Sequence, residues 1–223
     1  MGIISFSIPK EIVYKIIDKV NIDNFIETGT FRGNTCSWAA EHFKNVATIE
    51  IQPETYNETS KNLAHLKNIE FYLGNSKDCL PEICKKMEGR SLFWLDGHWC
   101  GGSGDKLDDE CPLLDELEAI SILNDAIIFI DDARCFIGPM PPPHSDSWPY
   151  LDDIFAFTKE KFPNHFTTII DDVIMCVPKD VKPIITKYWE ETFNERYYSN
   201  NESTKTEEKI EKSGGVLKRL FSK

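Results

Sequence analysis

Short apolar runs alternate along this chain with stretches of helical periodicity, and the runs close on an acid or a glycine. The runs span 25–28, 45–51, 69–73, 91–95 and 126–131, with helical patterns near 34–43, 54–65, 78–87 and 110–124. Strands alternating with helices predict a parallel sheet with right-handed crossovers. Ligands of such sheets sit outside the carboxyl ends of the strands. Those ends hold Glu27, Glu50, Gly74, Asp96 and the pair Asp131-Asp132.

Ahead of the first strand, Ile12, Val13, Ile16, Ile17 and Val20 predict a helix over 9–20, with Pro9 near its start. After the fifth run, the proline-rich stretch 138–144 resists both helix and sheet. A helix is expected near 149–161, then two strands over 166–178 meeting at Asp171-Asp172 as a hairpin. The 223 residues suit one sizeable α/β domain, placed at 1–193 with 1–24 as a helical lead-in. From Asn194 the chain turns polar and charged, so 194–223 is expected to be a flexible tail with a short basic amphipathic end.

Residues 25–35 are the most informative stretch. An apolar run reaches Glu27, then Gly29 and Gly33 precede a helical pattern. Glycine lets backbone N–H groups approach a ligand closely, and the acid favours positive charge or donors. A phosphate loop would need lysine after Gly33, and the dinucleotide fingerprint would need glycine where Phe31 stands. A nucleotide-like cofactor that is not a polyphosphate is therefore expected. Glu50 follows at the spacing of a ribose-binding carboxylate. Asn75 and Ser76 could face an adenine edge or cap the next helix.

Asp96, Asp131 and Asp132 are expected to converge at neighbouring strand ends. A hard divalent cation would relieve their repulsion, and oxygen donors suit magnesium, calcium or manganese. The alternative is that Asp131 or Asp132 caps a helix or pairs with Arg134. His98 follows Asp96 and has the pKa range of a base. The Gly-rich loop 100–109 and the loop 133–148 should overhang the strand ends. Trp99, Arg134, His144, Asp146 and Trp148 are the candidate acceptor contacts, and their polarity favours a polyol or sugar over a flat catechol.

These segments, in this order, resemble the class I S-adenosylmethionine-dependent methyltransferases, and more narrowly the metal-dependent catechol and macrocin O-methyltransferases. The matching segments are ETGTFRGNT, TIEIQPETY, GNSKDCLPEI, FWLDGHW and FIDDAR, across roughly residues 25–180. The resemblance implies a Rossmann-like, mostly parallel seven-stranded sheet with a C-terminal antiparallel hairpin strand and helices on both faces. It implies that Glu27, Thr28, Gly29, Thr30, Gly33, Asn34 and Thr35 hold the methionine part of S-adenosylmethionine. Glu50, with Ile51 beside it, would bind the ribose, and Asn75 and Ser76 would flank the adenine. Asp96 would touch the cofactor and, with Asp131 and Asp132, hold Mg2+. Asp96 and His98 are the catalytic candidates. The lysine base of the catechol type is absent here, the first lysine being Lys106, and the N-terminal cap is short. A second subunit could supply that cap in a homo-oligomer.

A net charge of −12 argues against nucleic acid and against an anionic membrane surface. No run approaches 18 apolar residues, and the N-terminal residues lack a secretion pattern. Seven cysteines without C-x-x-C fit reduced thiols in the cytoplasm, although Cys100 and Cys111 flank one loop as a candidate redox pair. The expected function is O-methylation of a small polar acceptor. The alternatives are a non-catalytic scaffold of the same fold, or a nucleotide-sugar or NAD-dependent enzyme.

Overall fold

The computed structural model describes residues 7–98, 110–145 and 148–193. The chain divides into two compact units, one through Lys182 and one from Pro183. In the first, β1 (Asn24–Thr28), β2 (Asn45–Glu50), β3 (Ile69–Leu73), β4 (Ser91–Leu95), β5 (Ile127–Ile130), β6 (His165–Ile170) and β7 (Val173–Pro178) form one sheet. Its order is β3-β2-β1-β4-β5-β7-β6. The first five strands are parallel, and β7 runs antiparallel to both β5 and β6. The expected architecture is present, with strand boundaries within one residue of the sequence periodicity. The predicted hairpin turn also falls at Asp171-Asp172.

Strands β1, β4 and β5 are buried throughout, as strands covered on both faces must be. On one face, Ile26, Phe93, Leu95, Ile128 and Ile130 pack against α4 (Ser76–Lys86), α5 (Leu113–Ile120) and α6 (Leu151–Lys161). On the other, Phe25 meets Trp38 of α2 (Asn34–Ala40) edge-on at 6.1 Å. There α1 (Lys10–Ile17) contributes Ile12, Val13 and Ile16, each buried. Burying one such side chain is worth about 1.5–3 kcal/mol, so this double-sided core sets the strand register. The helix α3 (Pro53–Asn62) completes the β2–β3 crossover.

The second unit opens within a helix over 182–193. There Trp189 and Phe193 bring their rings to 5.4 Å, and the Thr192 hydroxyl donates to the Tyr188 carbonyl at 2.9 Å. The tail 194–223 lies outside the described residues, as do Trp99, Cys100, Lys106 and Asp146.

The turn after β1 is pressed against the end of β4. Gly29 has φ +85°, and a Cβ added there would run into the Asp96 carbonyl oxygen. Gly29→Ala combines a left-handed backbone with a steric collision. Urea unfolding is expected to show a loss of about 3 kcal/mol; a change within experimental error would mean that β1 and β4 do not meet there.

Candidate active site

The carboxyl ends of β1, β2, β4 and β5 hold five acids within the same rim. Glu27 is the most deeply placed, 2% exposed. Strand alternation turns it with Phe25 toward α2. Its carboxylate accepts from the Thr48 hydroxyl at 2.8 Å, and Thr48 in turn contacts the Thr30 hydroxyl at 2.6 Å. Burial drives its pKa up to about 8, with Asp96 adding to the rise and Thr48, Thr35 and Cys36 opposing it. No basic side chain pairs with Glu27 among the described residues.

The loop after β1 alternates unusual backbone positions. Gly29, Phe31 and Gly33 have φ values of +85°, +45° and +73°. A bulky residue at positive φ is strained, and Phe31 is gripped on both sides. Its N–H donates to Glu50 at 2.8 Å, and its carbonyl accepts from the Thr59 hydroxyl at 2.7 Å. The other Glu50 oxygen accepts from Gln52 N–H at 2.9 Å. Thus the residue that breaks the dinucleotide fingerprint still adopts a glycine-like conformation, and the carboxylate expected at the ribose also shapes the loop.

Among the remaining candidates, Thr28 joins β1 to the end of β4, its hydroxyl oxygen accepting from Asp96 N–H at 3.2 Å. Thr35 lies near Glu27, while Asn34 is exposed on the first turn of α2. Ile51 follows Glu50 at the carboxyl end of β2 and is half-buried. Asn75 caps α4, its side chain accepting from Lys77 N–H at 3.2 Å, and Ser76 is buried at the first helical position. Asn75 therefore has the capping role, and this leaves its NH2 group outside that bond.

At the β4–β5 ends, ligand atoms of Asp96, His98 and Asp132 lie within 4.8 Å of one another. His98 Nε2 stands 3.1 Å from Asp132 Oδ2, and the imidazole is 5% exposed. Asp132 Oδ1 meets Arg134 at 2.6 Å. Asp131, expected with the other two aspartates, turns its Oδ1 to accept Asp132 N–H at 2.8 Å. His98 takes the third place in the converging set.

Burial is the main cause that lifts Asp96 to about 6 and Asp131 to about 7. Asp96 and Asp132 repel Asp131, Asp132 repels Asp96, and His98 offsets part of each rise. Burial disfavours the charged form of His98, but the bond to Asp132 and the charges of Asp96 and Asp132 outweigh it and raise its pKa. Two carboxylates and an imidazole this close, with negative charge in excess, fit a divalent cation.

Arg134 is engaged by two carboxylates, Asp132 and Asp172. The Asp172 carboxylate also accepts Arg134 N–H at 2.9 Å, and its carbonyl accepts Ala133 N–H at 2.8 Å. The pairing with Arg134 weighed from the sequence is thus present, and Arg134 spends its guanidinium there. His144 and Trp148, candidates for acceptor contact, are turned inward. Trp148 is 6% exposed and donates its indole N–H to Glu110 at 3.1 Å, and His144 Nδ1 stands 3.4 Å from the same carboxylate. Glu110, Asp172, Thr48 and Phe136 are the site-lining residues that motif reading missed.

Solved structures of known proteins share this architecture. The fold is that of the class I methyltransferases. A Staphylococcus aureus protein described as a caffeoyl-CoA O-methyltransferase matches with TM-score 0.54 and 17% identity, over 79% of this chain and 86% of its own. A Streptococcus mutans protein described as a methyltransferase, solved in complex with SAH, matches with TM-score 0.53 and 14% identity, over 78% of this chain and 99% of its own. No family model and no curated protein sequence matches this chain. Within the methyltransferase fold, the rim described above is where the strands open to a ligand.

Glu27 links this rim to stability. Between the ordinary carboxylate range and about 8, folded Glu27 holds a proton that the unfolded chain has released. Unfolding free energy of the ligand-free protein therefore falls as pH rises through that window. Urea unfolding from about pH 5 to pH 8 is expected to show a shallower fall for Glu27→Gln than for the native sequence; parallel curves would contradict the buried, unpaired placement.

Proposed function

We propose that this chain is an S-adenosylmethionine-dependent methyltransferase that alkylates a hydroxyl of a small polar acceptor, a sugar or glycan precursor. The observation that supports it most is the gathering of Glu27, Glu50 and Asp96 at three adjacent strand ends beside a loop of alternating positive φ. The Staphylococcus aureus neighbour, by its description, is an O-methyltransferase.

S-adenosylmethionine, when bound, supplies an electrophilic methyl group on a sulfonium. The residues divide the work around it. Glu27 lies behind the loop 29–35, and a cationic methionine portion would favour its charged form, which burial alone disfavours. Glu50 offers acceptor lone pairs to vicinal hydroxyls while its backbone bonds hold its orientation. Asn75 and Ser76 border the adenine. Asp96 faces both halves of the site.

His98 takes the proton from the acceptor hydroxyl, and Asp132 stabilises the imidazolium that results. Its raised pKa strengthens its hold on that proton. A divalent cation, Mg2+ by its oxygen donors, would be held by the Asp96 and Asp132 carboxylates beside His98, and it would lower the pKa of the acceptor hydroxyl. Alignment of acceptor and methyl group in a closed cleft supplies the remaining acceleration.

Calorimetric titration with S-adenosylmethionine, in Mg2+ and again in EDTA, tests this assignment. Binding is expected in both buffers. Glu50→Gln should weaken it by about tenfold, roughly 1.4 kcal/mol, through loss of charged hydrogen bonds to hydroxyls. Asp132→Asn should bind within about twofold of the native chain, because it faces the acceptor side. Native protein that binds in neither buffer would remove the methyltransferase assignment.

A further inference from the structure

Glu110 lies outside every motif of the cofactor loop and the aspartate rim, yet it controls a wall of the site. Its side chain has no exposed surface. Both carboxylate oxygens accept Ser145 N–H, at 2.9 and 3.2 Å. One of them also accepts the Trp148 indole N–H at 3.1 Å, with His144 Nδ1 at 3.4 Å. A buried carboxylate makes strong, short-range bonds to such donors, and removing one partner leaves charge poorly solvated. Glu110 therefore pins Ser145 and Trp148 to the chain just before α5.

The consequence reaches His98. Its imidazole stands edge-on to the Trp148 ring, centroids 5.4 Å apart at 75°, and edge-on to Phe136 at 5.9 Å and 70°. Phe136 and Trp148 also pack together at 5.6 Å. The two rings form a buried corner behind the imidazole, and its Nε2 is directed at Asp132. Phe136 is held by its place in the core. Trp148 sits beyond the proline-rich segment and is oriented by its indole N–H.

We propose that Glu110 is a positioning residue for His98, acting through the Trp148 indole. It deepens the methyltransferase assignment and rests on it for its catalytic meaning. The carboxylate fixes the indole, the indole closes one side of the imidazole, and the imidazole keeps its approach to Asp132. Trp148 in this role is a support behind the base, not an acceptor contact. A tryptophan that only filled space would be replaced by phenylalanine at little cost to its neighbour; one oriented through its N–H would not.

The experiment measures modification of individual histidines by diethyl pyrocarbonate, at one pH, in EDTA and without ligand, with rates read from peptide masses. His165 is the internal control. It bonds to the Ala126 carbonyl at 2.9 Å, at the amino end of β5 and so on the opposite rim of the sheet. In Glu110→Gln and in Trp148→Phe, the His98 rate is expected to rise by about fivefold or more as its wall loosens, with His165 unchanged. If Glu110→Gln raises both rates, the fold has loosened as a whole, and Trp148→Phe alone decides. An unchanged His98 rate in either variant, with His165 steady, overturns the proposal. Titration of both variants with S-adenosylmethionine separates the two levels. Loss of cofactor binding by the native chain would sink the methyltransferase assignment while leaving the Glu110–His98 coupling measured.

Discussion

Negative charge accumulates at the carboxyl ends of β1, β4 and β5 faster than positive charge is supplied to balance it. Glu27, Asp96, Asp131 and Asp132 meet there, and the described basic groups that answer them are His98 and Arg134. Arg134 is shared with Asp172. The imbalance shows in three carboxyl groups pushed up to between about 6 and about 8, chiefly by burial. Such a cluster opposes folding in the ligand-free chain and is relieved by bound positive charge. In the proposed function, a sulfonium near Glu27 and a divalent cation near Asp96 and Asp132 would be the chemical complements of this rim.

The cofactor loop reveals a second economy of parts. Glu50 serves Phe31 and Gln52 with separate oxygens, and Thr59 holds the Phe31 carbonyl. The strained φ of +45° at Phe31 is thereby overdetermined by contacts from β2 and α3. Loop shape and the proposed ribose recognition depend on one carboxylate. A substitution at Glu50 acts on both, so its effect on cofactor affinity includes the relaxation of the loop.

The fold was legible because its signals are local and periodic. Apolar runs with acids or glycines at their ends marked each parallel strand, and the hairpin turn at Asp171-Asp172 was visible from its paired acids between apolar segments. The acids Glu27, Glu50, Asp96 and Asp132 were found because strand ends in such a sheet share one rim. What stayed hidden depends on contacts distant in sequence. Glu110 meets Trp148 only after the proline-rich segment has folded back, and Asp172 reaches Arg134 from the hairpin. The loop after Gly29 read as lacking a glycine, because pattern matching sees residue type and misses the bonds that hold Phe31 at positive φ. His98 was read as a base beside a three-aspartate cluster, whereas the converging atoms belong to Asp96, His98 and Asp132. The difference arises because Asp131 spends an oxygen on the backbone N–H of its neighbour.

The most direct test of the account is the hydrogen-exchange footprint of S-adenosylhomocysteine on the full chain. Protection is predicted at three separate segments, residues 29–35, 50–52 and 74–76, which share only the carboxyl rim of β1, β2 and β3. Protection of a different surface, or binding that leaves these three segments unprotected, would contradict the assignment of this rim as the cofactor site.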